Sequence, residues 1–378
     1  MNILGIMTGT SLDGIDYALV NFQEVSSKPT FSLIATHFFE YTEALKNKIR
    51  GIISESLPIS EFSQFNFYLS YLFNEKYQEF LDLYSINPID IDCIATHGQT
   101  IWHNPNNTSF LDKQIPSTLQ AGNISILAKL TGKPVVGDFR SGDIALGGQG
   151  APLVTIFDYD YFHNNNEDRI LLNIGGISNI TYLPKNSNLS QILAFDCGPG
   201  NILIDAIASD YFCVAFDKNG AIAKNGNINH QLLDILLNDD FISKLPPKST
   251  GREKYNKYYI EKVLSLIPYQ IGKEDILRTF TEFTATAIAK NIIQFANPHS
   301  TIIASGGGRS NMFLMELLHN KLPKAKFNNI EDYGIPSDFK EAIAFAYLGH
   351  LRLNNMPGNV PFATGASHST ILGAIALP

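Results

Sequence analysis

Two stretches of the chain, Gly5–Asp16 (GIMTGTSLDGID) and Leu171–Thr181 (LLNIGGISNIT), carry one pattern about 165 residues apart. In each, an apolar run enters a short loop of glycine and hydroxyl residues and leaves as a second strand. Glycine permits close backbone approach, so such a loop crowds N–H groups around one concave point, which is how a chain holds phosphate. One loop alone is weak evidence, because Gly, Ser and Asp also build plain hairpin turns. Two of them, each opening a half of the chain, predict two lobes that grip a nucleotide.

The length of 378 residues is enough for each lobe to bury a core of its own. Apolar residues at 44% and charged residues at 17% describe a globular chain rather than a disordered one. The formal net charge is −8 and no basic stripe is visible, which argues against a nucleic-acid surface. Cys93, Cys197 and Cys213 are odd in number and lack metal-ligand spacing, as in a reducing compartment. The chain starts in a strand, Met1–Met7, without a charged segment and apolar core before it, so a cytoplasmic protein is expected. No run of about 18 apolar residues suggests a membrane span.

Strands are expected at Ile3–Ile6, Tyr17–Phe22 and Phe31–Phe38, followed by helical patterning from Glu43 to Tyr84 with Phe65, Leu69, Leu72 and Phe73 on one face. A short apolar run, Cys93–Ala95, ends in a polar loop, Thr96–Thr100 (THGQT), at the strand end where open α/β sheets keep ligands. A helix (Ile124–Thr131) and a strand (Pro134–Gly137) lead to Asp138–Arg140 and a glycine-rich passage through Gly150. After the second loop, a strand ends in Ala194–Asn201 (AFDCGPGN) and a helix starts at Ile202, with helix N-terminal amides expected to be exposed. The stretch 217–259 is polar and reads as an insertion or a mobile flap. A helix over Leu277–Phe295, a strand over Thr301–Ala304 and a glycine run, Gly306–Gly308, before another helix complete the pattern. Alternating strands and helices predict α/β lobes with mixed sheets and suggest a duplicated architecture.

Each candidate residue has a plain reading beside its functional one. Asp196 is either an Asx turn shaping the GlyProGly loop or a general base. His97 is either a satisfied core histidine or part of a ligand-binding loop. Arg140 either pairs with Asp138 or Asp143 or holds a carboxylate or phosphate bidentately. Glu341 either closes a capping box with Asp338 or faces a ligand.

Taken in order, MTGTSLDGID, THGQTIWHNP, QAGN, GDFRSGDIALGGQGAPL, LLNIGGISNIT, AFDCGPGN, LPPKSTGRE, SGGGRSN, KEAIAFAYL and the terminal TGA resemble the anhydro-N-acetylmuramic acid kinases over nearly the whole chain. That family lies in the sugar kinase, Hsp70 and actin superfamily of ATPases. The resemblance implies a two-lobed, actin-like (ribonuclease H-like) α/β fold, with mixed sheets flanked by helices and a cleft between the lobes. It implies an N-terminal lobe over 1–140 and a C-terminal lobe over 141–378, whose last helix packs back on the first lobe. The activity implied is ATP-dependent, with Mg²⁺: water opens the 1,6-anhydro ring of the sugar and O6 is phosphorylated, a step of peptidoglycan recycling.

By the same resemblance Asp196 is the catalytic base, and lobe closure precedes chemistry. Gly9, Thr10, Ser11, Leu12, Asp13, Gly14, Ile15 and Asp16 cradle ATP phosphates, Gly175, Gly176, Gly198 and Gly200 approach them from the other lobe, and Gly306, Gly307 and Gly308 face the adenosine. His97, Gln99, Thr100, Arg140 and Glu341 fall in sugar-site motifs. Where the superfamily usually has an aspartate in each phosphate loop, this chain has Met7 and Asn173, which leaves metal handling to Asp13, Asp196 or water. The implied partners are the sugar and ATP, with no nucleic acid or membrane, and a homodimer is what the family suggests. A kinase for another hexose or amino sugar, or a nucleotide-switched chaperone or filament protein, are the competing classes.

Overall fold

The computed structural model describes residues 1–9, 11–23, 30–54 and 58–378, so Thr10 lies outside the described residues. The described strands run in chain order as β1 (Asn2–Met7), β2 (Gly14–Gln23), β3 (Thr30–Glu40), β4 (Cys93–Thr96), β5 (Gln99–Phe110), β6 (Lys113–Ala121), β7 (Val135–Gly137), β8 (Arg169–Ile174), β9 (Ile177–Leu183), β10 (Leu193–Pro199), β11 (Thr301–Ser305), β12 (Lys326–Asn329) and β13 (Ala374–Ala376). They fall into two compact units, Met1–Tyr161 with Phe339–Pro378, and Phe162–Asp338.

In the first unit the sheet order is β13-β7-β4-β1-β2-β3. β1, β2 and β3 form an antiparallel meander, while β4 lies parallel to β1 and β7 parallel to β4. In the second unit the order is β10-β9-β8-β11-β12, again an antiparallel meander of three followed by two parallel additions. Leaving out β13, both units read third, second, first, fourth, fifth. Parallel neighbours cannot be joined by a tight turn, so each parallel addition follows a longer crossover that carries helices. This is the ribonuclease H-like order carried twice, the architecture of the actin-like ATPases, and it gives the suggested duplication a topological basis.

The helical patterning over 43–84 resolves into two helices, Glu43–Ser54 and Ile59–Tyr84. Pro58 stands immediately before the second, where its fixed φ and missing N–H cost nothing. Phe65, Leu69, Phe73, Tyr77 and Phe80 recur at three and four residues and are buried with Leu4, Ile6, Tyr17 and Ile94 of the sheet. The helix Lys340–Leu353 lies against β1 and β2. It comes so close that a Cβ on Gly5 would sit 2.0 Å from the carbonyl oxygen of Ala342.

The units do not divide at 140/141. Asp143 is fully buried and accepts hydrogen bonds from Asn359 Nδ2 (2.8 Å) and Thr364 Oγ1 (2.7 Å), and β13 pairs with β7. Residues 141–161 and the C-terminal 40 positions therefore belong to the first unit, rather than a helix alone returning to it.

Two further expectations change. The segment 217–259 is not a flap: it contains the helices His230–Leu237 and Asp240–Ser243 and the start of Lys257–Leu264, and Leu232, Leu236, Phe241, Ile242 and Tyr255 sit in the second unit's core. Its many Asn and Lys residues mask this short apolar spacing. The loop expected at Thr96–Thr100 is cut to two residues, because Gln99 begins the long β5–β6 hairpin. No described helix is long and apolar enough to cross a membrane.

Candidate active site

In the first unit β1 and β2 pair from Asn2↔Asn21 to Met7↔Asp16, and the described residues 8, 9 and 11–13 lie between the two strands. Ser11 Oγ donates to Asp13 Oδ1 at 2.7 Å and the Gly14 amide donates to the same oxygen at 3.0 Å. Leu12 takes a positive φ of 61° with its side chain buried. Gly14, Ile15 and Asp16 belong to β2. A Cβ on Gly14 would lie 2.2 Å from the Phe39 carbonyl oxygen, and Ile15 is buried in the core. Packing accounts for both without a ligand.

The HGQ segment is laced to this loop. Thr8 Oγ1 donates to the Gly98 carbonyl at 2.8 Å, and Gln99 Nε2 donates to the Gly9 carbonyl at 3.2 Å. Gln99 is fully buried, and Tyr41 donates to its Oε1 at 3.4 Å, whereas Thr100 is half-buried opposite Gln120. Gln99 thus fixes the loop backbone in addition to any part it takes in binding.

Arg140 pairs with neither Asp138 nor Asp143. Its Nε and Nη2 donate to His97 Nε2 at 3.1 and 2.7 Å, and its Nη1 donates to the Gly150 carbonyl at 2.6 Å. Two guanidinium donors on one ring nitrogen require that nitrogen to carry a lone pair. The proton is therefore on Nδ1, which reaches the Thr8 carbonyl at 3.2 Å. Burial first, and then the Arg140 charge, push the His97 pKa well below the usual histidine range, so the ring is neutral. His97 should keep its Nδ1–H form as pH falls through about 6.5, the usual histidine midpoint. Imidazole ¹⁵N shifts across that range are the check, and an ordinary titration would refute it.

Glu341 does not close a capping box. The short turn Ser337–Phe339 makes Phe339 the N-cap of the helix Lys340–Leu353, and no side chain caps it. The Glu341 side chain reaches solvent, yet the surrounding protein raises its pKa, while Lys340 and Arg140 oppose the shift and Asp158 adds to it. Arg140 is held by burial at about 10, with Glu341 opposing.

In the second unit Ile174↔Ser178 is the last pair of β8 and β9, so Gly175 and Gly176 form the tight loop. The amides of Gly200, Asn201 and Ile202 donate to the carbonyls of Gly176, Gly175 and Gly176 at 2.8, 2.8 and 3.1 Å. The amides of the N-cap Asn201 and of Ile202, the first residue of the helix Ile202–Phe212, are thus consumed internally, which narrows the expected exposed set to those that follow. Cβ atoms built on Gly175 and Gly176 meet nothing closer than 3.6 Å, so their backbone remains approachable.

Asp196 sits at a bulge of β10, where the register against β9 shifts between Asp196 and Gly198. Its Oδ2 accepts the Thr250 amide at 2.8 Å, from 54 residues away, so it does not form an Asx turn with the loop that follows it. Burial raises its pKa to about 6; Glu253 adds to the rise, and the Thr250 amide and Lys248 oppose it.

Gly306 has a φ of 80°, and its Cβ would lie 2.6 Å from Asn173 Oδ1; a Cβ on Gly308 would lie 2.3 Å from Ile174 Cγ2. Gly307 has open space, and Arg309 turns away to Glu331 at 2.5 Å. Sequence reasoning missed Thr8, Gly150, Lys248 and Thr250. All four lie inside quoted motifs, MTGTSLDGID, GDFRSGDIALGGQGAPL and LPPKSTGRE, but nothing in those strings singles them out.

A family model described as anhydro-N-acetylmuramic acid kinase matches residues 1–378. A relative of that name from Caldanaerobacter subterraneus subsp. tengcongensis is 37% identical, covering 99% of this chain and 96% of its own. Another of that name, from Haemophilus influenzae, is 39% identical over 98% of this chain and 97% of its own. Among solved structures, an activator of the 2-hydroxyisocaproyl-CoA dehydratase from Clostridium difficile with bound ADPNP aligns at 12% identity and a TM-score of 0.44, over 92% of this chain and 93% of that one. With the family model matched from end to end, the chain belongs to the anhydro-N-acetylmuramic acid kinase family.

Proposed function

We propose that the chain uses ATP to phosphorylate anhydro-N-acetylmuramic acid at O6, coupled to opening of its 1,6-anhydro ring, giving N-acetylmuramic acid 6-phosphate in peptidoglycan recycling. The observation that carries the mechanism is the state of Asp196. A half-buried carboxylate with a pKa near 6 is charged at neutral pH yet basic enough to accept a proton. In the proposed step water attacks C1 and loses its proton to Asp196. The C1–O6 bond breaks, O6 attacks the γ-phosphorus and ADP leaves. One carboxylate thereby serves a hydrolysis and a phosphoryl transfer.

The sugar is assigned to His97, Gln99, Thr100, Arg140 and Glu341. Neutral His97 holds the Arg140 guanidinium in place, and Glu341 offers an acceptor to a sugar hydroxyl. The phosphates are assigned to the stretch 9–16, a loop and the start of β2, and to the backbone at Gly175, Gly176, Gly198 and Gly200, and the adenosine to Gly306–Gly308. Gly307 and the pair Gly175–Gly176 fit a close ligand best, since packing does not explain their missing side chains. Mg²⁺ would neutralise phosphate charge. No group of three His, Cys, Asp or Glu that could hold a metal occurs among the described residues, which fits an ion carried by ATP and water. A cytoplasmic location, supported by three free cysteines, and a homodimer belong to the same proposal.

The reading is tested by ADP release with candidate sugars. Release should require the anhydro sugar, and equal release with N-acetylmuramic acid or glucose would refute it. The base must be deprotonated, so kcat should rise with pH through about 6 and then level off. A kcat independent of pH from 5 to 8 would contradict that assignment.

A further inference from the structure

The side chain of Lys248 is 5% exposed, a rare place for an ammonium group. Nζ donates to the carbonyls of Phe241 and Ile242, both at 3.1 Å, and lies over the rings of Phe241, Phe195 and Phe295 at 5.0, 5.6 and 5.4 Å. The peptide runs the other way. The Asp196 amide donates to the Lys248 carbonyl at 3.1 Å, and two residues later the Thr250 amide donates to Asp196 Oδ2 at 2.8 Å.

We infer that Lys248 is a positioning residue: its ammonium, caged by three phenylalanines and two carbonyls, pins a strap, residues 248–250, that holds both the backbone and the carboxylate of Asp196 in place. The inference rests on Asp196 being the base proposed above. A purely structural role as a cap on the four-residue helix Asp240–Ser243 explains less, because the Phe241 carbonyl already accepts the Lys244 amide at 3.2 Å. Burial of an ammonium is costly, and here its charge acts on the carboxylate that the strap grips.

The charge geometry gives a readout that packing alone would not move. Asp196 is faced by Glu253, which raises its pKa, and by Lys248 and the Thr250 amide, which lower it. Lys248 is itself faced by Cys197, Asp196 and Lys244. Removing the ammonium or the Thr250 donor withdraws support from the charged carboxylate, so the acid limb of kcat must move to higher pH.

The test compares wild type with Lys248→Met, Lys248→Arg and Thr250→Pro, with Asp196→Asn as control, measuring kcat and both KM values across pH. Lys248→Met should lower kcat about tenfold or more, with each KM within about threefold, and shift the acid limb upward. Lys248→Arg keeps the cation and should restore the limb. Thr250→Pro removes the amide donor from a half-buried loop position and should shift the limb even where Lys248→Met does not fold. An unmoved limb in folded Lys248→Met or Thr250→Pro overturns the strap. Should Asp196→Asn retain turnover, the base assignment falls and the strap's purpose with it; should Asp196→Asn lose turnover while both strap variants match wild type, the strap alone is wrong.

Discussion

Asp196→Asn should lose turnover by a factor on the order of 10² or more while ATP binding stays nearly intact. The asparagine keeps the shape and still offers an oxygen to the Thr250 amide at the place where Oδ2 accepts it now. What it cannot do is accept the proton of the attacking water. A hundredfold loss is about 2.7 kcal/mol of transition-state stabilisation. Isothermal titration of an ATP analogue, beside single-turnover kinetics with the sugar, separates the two effects. Retained turnover would place the base elsewhere, and weakened nucleotide binding would make Asp196 a phosphate-site residue instead.

Gly200→Ala should be the most damaging exchange among the four glycines assigned to phosphate in the second unit, Gly175, Gly176, Gly198 and Gly200. Its Cβ would lie 2.3 Å from the Gly175 carbonyl oxygen and 3.2 Å from the Ile177 carbonyl carbon, both backbone atoms that no rotamer change can move. Relief requires parting the 200–202 segment from Gly175 and Gly176, at the expense of three backbone hydrogen bonds. A cost of about 3 kcal/mol follows, lowering Tm by on the order of 5–10 °C and raising the KM for ATP. Gly307→Ala is the counterpart, since nothing lies within 4 Å of its Cβ. It should leave Tm nearly unchanged and raise the KM for ATP if adenosine approaches there. Thermal melts of both variants, with ATP kinetics, decide the matter; an unshifted Tm for Gly200→Ala would refute the packing argument.

Much of this was legible in the chain. Apolar runs broken by glycine and hydroxyl residues located β1–β2 and β8–β9, because loop geometry is a local property. Three- and four-residue spacing of Phe65, Leu69, Leu72 and Phe73 located the long helix. What stayed hidden is non-local. The order of strands within each sheet, the Arg140–His97 pair 43 residues apart and the grip of Thr250 on Asp196 arise only when distant segments meet. The β5–β6 hairpin escaped because Asn104, Asn106 and Asn107 read as loop, although Gln99 and Ile101 alternate inward. The capping-box spacing of Asp338 and Glu341 was real in sequence and void in structure, since a 3-10 turn ends at Phe339. The resemblance was specific for the opposite reason: it drew on ordered motifs along the whole chain, and the family match spans the same residues.

The central claim is that one enzyme both opens the ring and transfers the phosphoryl group, and the atom that distinguishes this from simple phosphorylation is the oxygen at C1. Mass spectrometry of the product formed from ATP, the anhydro sugar and ¹⁸O-water reads it directly. The account predicts a sugar 6-phosphate carrying one heavy oxygen at C1; a phosphorylated product with its anhydro ring intact and no heavy oxygen would contradict it.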